Sequence, residues 1–305
     1  MHKDSPDLGS IEEDALKAFK SVRARLFGIA YRMLGSAADA EDLVQDVWLR
    51  WQTTDRSVVL DAGAFLATIT VRLAINEAQS ARSRHETYVG SWLPEPVDTS
   101  EDPYLGAERG EALEFAVLLL LEKLSATERA AYVLREAFDY PYQQIAEILQ
   151  ITEANLRQHV SRARKHIADG RRASVDLTEQ RRLLGAFIAA AQKGDLAALE
   201  ELFAADIVSN ADGGGIVRAA RAPVEGRERV AKFITAVAPH FWKGVEVEFI
   251  EANGQPAALI VRDGSAVALA MIDATAEGIA QILWVMRPSK LMGVSRLLQG
   301  PRALL

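Results

Sequence analysis

The amino-acid sequence predicts a multi-domain protein in which two all-α domains precede one α+β domain. Apolar residues recur every three or four positions through most of residues 11 to 167, which is the spacing of amphipathic helices. Strand-like alternation begins only near residue 245, and Asn-Gly, Asp-Gly and Glu-Gly pairs separate the alternating segments, as hairpin turns require. A chain of 305 residues also exceeds what one hydrophobic core usually spans, so three parts are expected.

Composition narrows the classes of function. The chain has no cysteine, and its five histidines show no ligand-like spacing, so we expect no disulfide, no metal site and no other cofactor. The formal net charge of -7 argues against a general polyanion binder, so any contact with nucleic acid needs a local basic patch. The polar start of the chain and the shortness of its longest apolar run, 115–121, predict a cytoplasmic protein that does not bind membranes.

The first helical domain is predicted over residues 10–86. A Gly-Ser pair follows its first helix, LFGIAYRML, and separates it from the acid-rich AEDLVQDVWLRW, for which Asp39 is the expected N-cap. A third helix is expected from about Asp61 to Arg82, with an apolar face that gives way to polar and basic residues. The domain is therefore predicted to be a compact helical bundle.

A linker is predicted over residues 87–107, where prolines prevent a continuous helix, and a second helical domain over 108–172. This domain shows four helical segments, of which the last two have the spacing of a helix-turn-helix. The residues expected to point inward in that motif are Ile145, Ala146, Leu149, Ile151, Leu156, Val160, Ala163 and Ile167.

The outward face of the last helix in this motif is polar and basic. Arg and Lys meet phosphates or guanine edges, and Asn and Gln can pair with adenine, so this face predicts contact with DNA. The alternative is that this helix face is only exposed to solvent, which the charge of the helix alone would favour. The candidate DNA-binding residues are Asn155, Arg157, Gln158, Ser161, Arg162, Arg164 and Lys165.

The third domain is predicted over residues 177–291, followed by a loose tail over 292–305. It opens with a helical hairpin, Leu177 to Lys193 and Asp195 to Phe203. Four alternating segments follow, which we expect to form a curved antiparallel sheet: VEVEFIE, AALIVR, AVALAMID and IAQILWVM.

One segment of the second domain is specific enough to indicate a family. LSATERAAYVLREAFDYPYQQIAEILQITEANLRQHVSRARKHI resembles region 4 of the extracytoplasmic-function sigma factors of RNA polymerase, the module that reads the -35 promoter element. The resemblance implies a sigma factor that binds core RNA polymerase and promoter DNA. The chain departs from the family at the turn, where Gln150 replaces the usual glycine; a left-handed backbone there would cost about 1 kcal/mol.

The first domain shows a matching resemblance. LFGIAYRMLGSAADAEDLVQDVWLRW is similar to sigma regions 2.1 to 2.2, whose helix docks on the clamp helices of the largest polymerase subunit. Acids at a helix N-terminus can also serve only the helix dipole. By resemblance, the docking residues are Asp39, Glu41, Asp42, Gln45, Asp46 and Trp48. The next segment corresponds to regions 2.3 and 2.4, which melt and read the -10 element, and the implied DNA contacts are Arg72, Asn76, Arg82 and Arg84.

The C-terminal extension resembles SnoaL-like domains, which are α+β cones of the nuclear-transport-factor-2-like fold built around a pocket. The sigma subgroup with this extension shares the motifs WLPEP and DGGG, and has NPDKL where this chain has RPSKL, so Arg287 and Ser289 depart from it. The resemblance implies regulation of the sigma domains in cis, although a stiff spacer and a plain hairpin turn would be simpler explanations. The implied regulatory contacts are Trp92, Leu93, Pro94, Pro96, Asp212, Gly213, Gly214, Gly215, Arg287, Pro288, Lys290 and Leu291.

Other functions stay open at this point. The chain could be a one-component regulator that binds duplex DNA without polymerase. The extension could be an enzyme with acid–base groups among Asp212, His240, Asp263 and Asp273, although structural roles are expected for each and no covalent chemistry is predicted. It could also sense a small molecule in a pocket lined by Trp242, Phe249, Trp284 and Met286.

Overall fold

The computed structural model of the protein describes residues 8–86, 88–99 and 114–295. These residues divide into two compact units. Within the described chain, the first unit holds residues 8–83 and 120–167, and the second holds 84–86, 88–99, 114–119 and 168–295. The linker residues 88–99 therefore pack with the C-terminal part of the chain. The domain boundaries given above stay predictions.

The first unit is built from helices, as predicted. Its N-terminal half contains α1 (Leu8–Leu34), α2 (Ala37–Thr53) and α3 (Ala62–Glu86), with a 3-10 turn over Arg56–Val58. The helices that follow the linker are α4 (Phe115–Leu121), α5 (Ala126–Tyr132, continued by a π-helical turn over Val133–Ala137), α6 (Tyr142–Leu149) and α7 (Glu153–Gly170).

The break between α1 and α2 differs from the prediction by one detail. Gly35 ends α1 in a left-handed conformation, with φ of 65°. The N-cap of α2 is Ser36, and not Asp39 as predicted, because the Ser36 hydroxyl accepts a hydrogen bond of 3.2 Å from the Asp39 amide. A cap side chain reaches the amide two or three residues further on, so the cap precedes the first acid.

The helix-turn-helix has the predicted geometry. Ile145 and Leu156 are fully buried, one in each helix of the pair. Gln150 joins the helices in the left-handed region, with φ 56° and ψ 42°. The amide of Ile151 then donates to the carbonyl of Ala146 at 3.1 Å, which satisfies the end of α6. The sharp turn that glycine usually makes is therefore made here by a glutamine.

We expect Gln150→Gly to raise the free energy of unfolding by about 1 kcal/mol, because glycine adopts a positive φ without strain. The matched control is Gln143→Gly in the exposed face of α6, which should lower stability by about 1 kcal/mol. Urea denaturation of both variants measures the difference. Equal losses at the two positions would show that Gln150 is not strained.

The second unit is an α+β domain, as predicted. In chain order it contains α8 (Leu177–Lys193), α9 (Leu196–Leu202), β1 (Phe203–Asp212), β2 (Val224–Glu225), α10 (Arg227–Phe241), β3 (Val245–Ala252), β4 (Gln255–Arg262), β5 (Ser265–Thr275), β6 (Gly278–Val285) and α11 (Pro288–Ser295). The six strands form one sheet in the order β2-β1-β6-β5-β4-β3.

Both faces of this sheet are covered by apolar side chains. Successive residues of β6 alternate between two cores, so Ile282 packs with α8 and α10 while Leu283 packs in the other core. That second core includes Leu93 from the linker, Phe115 from the start of α4 and Leu291 from α11. The linker is therefore a structural part of the C-terminal unit.

Three expectations for this unit need correction. The sheet is mixed and not antiparallel throughout, because β1 runs parallel to β6. The prediction missed β1, whose first residue, Phe203, was assigned to the preceding helix. Met292 belongs to α11 and not to a loose tail, and residues 296–305 lie outside the described residues.

Two of the three predicted hairpin turns have the expected conformation. The third differs, because Ala276 and Glu277 form the turn between β5 and β6 and Gly278 is the first residue of β6. Asn253 and Asp263 adopt φ values of 54° and 51°, and the glycine after each also has a positive φ, as a tight two-residue turn requires. Within the part of the chain that the structure describes, no helix is long and apolar enough to cross a membrane.

Candidate nucleic-acid interface and linker clamp

The outward face of α7 is a polar surface set on a buried apolar stripe. Leu156, Val160 and Ala163 are fully buried and Ile167 nearly so, which fixes how the helix is turned. The seven side chains proposed to contact DNA are all exposed as a result: Asn155, Arg157, Gln158, Ser161, Arg162, Arg164 and Lys165.

Acids of the same unit hold three of these four cations. Arg157 pairs with Glu153 at 2.7 Å, and Arg164 pairs with Glu136, also at 2.7 Å. Lys165 has no ion pair with any residue that the structure describes. Exposed pairs of this kind contribute about 0–1 kcal/mol, so these arginines are held only weakly.

Arg162 is held by a hydrogen-bonded network at the start of α5. Its guanidinium lies 3.1 Å from the carboxylate of Glu128, which also accepts hydrogen bonds from Ser125 in a capping box. Partial burial acts to raise the pKa of Glu128, but the Ser125 hydrogen bonds and the charge of Arg162 outweigh it, and the pKa is lowered. The carboxylate therefore stays ionised and orients Arg162.

The acidic residues of α2 form a second polar surface. Asp39, Asp42, Gln45 and Asp46 are exposed, while Glu41 is half-buried and pairs with Arg23 at 2.5 Å. Trp48 is half-buried, and its ring lies 4.9 Å from that of Phe19. The helix thus presents an acidic surface with a partly covered aromatic ring at one end.

The predicted -10 contacts are only partly described. Arg72 and Asn76 are exposed on α3, and the guanidinium of Arg72 donates to the carbonyl of Ile148 in α6 at 3.4 Å. The side chains of Arg82 and Arg84 lie outside the described residues. The structure does not bring Arg72 into the surface formed by α7.

A buried cluster in the second unit joins the three motifs predicted to be regulatory. At its centre is Asp212, the last residue of β1, which is fully buried. Its carboxylate accepts hydrogen bonds from the hydroxyl of Tyr88 at 2.6 Å and the amide of Leu93 at 3.0 Å. It also accepts from the ammonium of Lys290 at 2.7 Å and the amide of Gly214 at 3.1 Å. We call Tyr88, Leu93, Asp212 and Lys290 the linker clamp.

Lys290 contacts the linker directly as well. Its ammonium donates to the carbonyl of Leu93 and lies 4.4 Å from the centre of the Trp92 ring. Burial lowers the pKa of Lys290, although the charge of Asp212 acts in the opposite direction. Burial, together with the hydrogen bond to Asp212, raises the pKa of Tyr88 to about 12. The clamp therefore holds one ion pair and one neutral phenol.

The glycines of DGGG are required by close approach. A Cβ on Gly213 would lie 2.5 Å from the carbonyl oxygen of Val217. A Cβ on Gly214 would lie 2.8 Å from Cδ of Arg287, and one on Gly215 would lie 3.2 Å from Cβ of Val89. Gly214 and Gly215 also have positive φ values. The loop thus needs glycine both for its conformation and for its contact with the linker.

The remaining motif residues differ in their placement. Arg287, which departs from the family pattern, donates to the hydroxyl of Tyr88 at 3.2 Å. Pro288 is exposed at the first position of α11, which suits its fixed φ and gives it no place in the clamp. The other predicted contacts in WLPEP and RPSKL are buried in the second unit, namely Pro94, Pro96 and Leu291, whereas Ser289 is exposed.

The sequence prediction missed a second attachment of the linker. The amide and side-chain oxygen of Asn253 pair with the carbonyl and amide of Val97 at 2.9 and 3.0 Å. The hydroxyl of Thr99 accepts from the amide of Gly254 and donates to Glu251. Neither Asn253 nor Tyr88 was among the predicted contacts. The Asn-Gly pair indicated only a turn, and Tyr88 lies outside the three motifs.

The four candidate acid–base groups are held apart. Asp212 is occupied by the linker, and Asp263 lies in a turn. Asp273 accepts a hydrogen bond from Ser174 at 3.1 Å, and His240 is exposed near the end of α10. Among the described residues, no group of histidines and acids could hold a metal ion.

Comparison with known proteins agrees with the two sigma resemblances. Residues 18–84 match the family description "Sigma-70 region 2", and residues 114–167 match "Sigma-70, region 4". Two curated relatives come from Mycobacterium tuberculosis. The ECF RNA polymerase sigma factor SigJ is 37% identical over 232 residues, covering 74% of this chain and 74% of SigJ. The probable ECF RNA polymerase sigma factor SigI is 30% identical over 281 residues, covering 90% of this chain and 93% of SigI.

A solved structure extends the likeness to the third part of the chain. The crystal structure of M. tuberculosis SigJ superposes with a TM-score of 0.73 at 31% identity, covering 91% of this chain and 98% of that one. The helical regions and the SnoaL-like sheet domain are both included in that coverage. This chain belongs to the extracytoplasmic-function sigma factors of the sigma-70 family.

Proposed function

We propose that the chain binds core RNA polymerase and directs it to promoters, with α2 on the clamp helices of the largest subunit, α3 on the -10 element and α7 on the -35 element. The observation that supports this is the joint exposure of an acidic surface on α2 and a polar, basic surface on α7. A repressor acting alone would need the second surface but not the first. The proposed place of action is the cytoplasm.

Transcription in vitro tests this proposal. The full-length protein, added to core polymerase and genomic promoter fragments, should give initiation from a defined subset of promoters. If neither initiation nor core binding occurs, and duplex DNA is bound tightly without polymerase, the one-component regulator is the better description.

The -35 surface is tested by Gln158→Ala and Lys165→Ala. Truncating a side chain that contacts a base costs about 1–3 kcal/mol of binding free energy and relaxes the sequence preference. Losing a phosphate contact instead weakens binding to DNA of any sequence and lowers the salt dependence of that binding. We expect both variants to lower promoter affinity in the holoenzyme, as measured by filter binding over a range of salt. The matched control is Gln143→Ala on the exposed side of α6, which should bind normally. Unchanged affinity in both α7 variants would contradict the assignment.

We further propose that the SnoaL-like unit modulates the sigma regions in cis and performs no covalent chemistry. The linker clamp supports this, because it holds residues 88–99, the chain segment that connects region 2 to region 4. Binding the linker in this way would restrict how regions 2 and 4 can be placed relative to each other. The unit therefore acts on the same chain that it belongs to.

Deleting residues 177–305 should change transcription output by about fivefold or more, the lower end of typical coupling between sites. Circular dichroism checks that the helices of the remaining chain are kept. Unchanged output with unchanged core affinity would rule out cis-regulation, and turnover of a small substrate by the removed part would support the enzyme alternative.

A further inference from the structure

The second unit contains an apolar cavity at the wide end of its sheet. Its walls come from α10, from the end of β6 and from the loop that follows β1. Phe241, Trp242 and Trp284 meet edge to face inside it, with ring centres 4.9 to 6.4 Å apart. Trp242, Trp284 and Met286 were predicted to line such a pocket and do so, while Phe249 is exposed and does not.

The lining selects a class of ligand. The cavity has a volume of about 100 Å³, which is smaller than an enclosed cavity that holds benzene, but it opens to solvent, so one aromatic ring can enter it while a substituent stays at the mouth. Its walls are apolar except for Arg218, which is exposed and has no ion pair with any residue that the structure describes. A guanidinium beside an apolar cavity favours an anionic group attached to an apolar body. The ligand expected from this chemistry is a small aromatic carboxylate.

The same walls contact the linker. Residues 218–220 line the cavity on one side and, on the other, a groove formed with Val89 and Gly90. A Cβ on Gly90 would lie 4.0 Å from the carbonyl oxygens of both Ala211 and Ala220, whose side chains line the cavity. A single layer of residues, contributed by the end of β1 and the loop that follows it, therefore separates the cavity from the linker.

The cavity is also one residue away from the clamp in two places. Ala211 precedes Asp212, and Met286 precedes Arg287, which bonds Tyr88. The amide of Met286 donates to the carbonyl of Asp212 at 2.8 Å, so this wall residue is joined by a backbone hydrogen bond to the central residue of the clamp. A group that moves either wall would move an acceptor or donor of the clamp.

From these contacts we infer that the cavity is a binding site for a small aromatic carboxylate and that its occupancy alters the seating of the linker. The second half of this inference rests on the cis-regulation proposed above. The site itself does not, because it is defined by the cavity and Arg218 alone.

Benzoate is the probe, with benzamide as its neutral counterpart, and the full-length protein is labelled with 5-fluorotryptophan. Fluorine NMR then reports on each of the five tryptophans. Benzoate should shift the signals of Trp242 and Trp284 saturably, and that of Trp92 in the linker, while those of Trp48 and Trp51 in the first unit stay in place.

Two variants with matched controls locate the site. Val237→Phe narrows the cavity from α10 and should weaken benzoate binding about tenfold, whereas Ala236→Phe on the neighbouring exposed position should not. Arg218→Gln should lower the ratio of the affinities for benzoate and benzamide about tenfold, whereas Arg229→Gln should leave this ratio unchanged.

Absence of a saturable shift at Trp242 and Trp284, or normal binding by Val237→Phe, would overturn the site. If benzoate saturates the cavity and the Trp92 signal does not shift, the inferred coupling between the cavity and the linker is wrong. Since no polymerase is present, failure here leaves the proposed role in transcription standing, and failure of the transcription assay leaves this measurement intact.

Discussion

Changing both Asp42 and Asp46 to arginine is expected to lower the affinity for core RNA polymerase by about 100-fold or more. The two carboxylates are exposed, and their spacing of four residues places them on one face of α2. Close charge pairs across interfaces couple by about 1.5–7 kcal/mol, so reversing two of them removes at least about 3 kcal/mol and adds repulsion. Binding is measured by fluorescence anisotropy with labelled core polymerase.

The control for this double variant is Asp14→Arg, which reverses an exposed acid on α1 and should bind normally. Stability should change little in either protein, because Ser36 and Asp39 still complete the start of α2. Unaltered core affinity in the double variant would contradict the docking role of Asp42 and Asp46. A loss in the Asp14 variant as well would point to a general effect of net charge.

Asp212→Ala is expected to lower the free energy of unfolding by about 3–5 kcal/mol, because it leaves the buried ammonium of Lys290 without its ion-pair partner. The hydroxyl of Tyr88 and the amide of Leu93 also lose their acceptor. The linker should then be released from the second unit. Urea denaturation measures the stability, and hydrogen exchange of amides in residues 88–99 measures the release.

The matched control is Asp206→Ala, which removes another Asp–cation pair, the one with Arg172. That pair is exposed, so its loss should cost far less stability than the loss of Asp212. Combining Asp212→Leu with Lys290→Met should recover part of the loss, since an apolar pair leaves no unpaired charge. Similar costs for the two single alanine variants, or protected linker amides without Asp212, would show that the clamp does not hold the linker. If release leaves transcription output unchanged, the clamp is purely structural.

Local signals explain what could be predicted along the chain. The left-handed Gln150 followed from the turn between two apolar helices, and Asn253 from its Asn-Gly pair. The strand β1 was missed because FAADIVSNAD follows a helix without a turn signal and ends in a buried acid. Its parallel pairing with β6, about 75 residues later in the chain, has no local signature either.

The helical regions, the polar and basic face of α7, the acidic face of α2 and the family could all be predicted from the amino-acid sequence, because periodicity, turn chemistry and motifs are local properties. Only the tertiary structure showed that the linker belongs to the C-terminal unit and that Asp212 and Lys290 close on it. One of those contacts, the hydrogen bond from Lys290 to Leu93, joins residues 197 positions apart. They depend on how the sheet closes, and contacts at such separation leave no periodic trace in the chain.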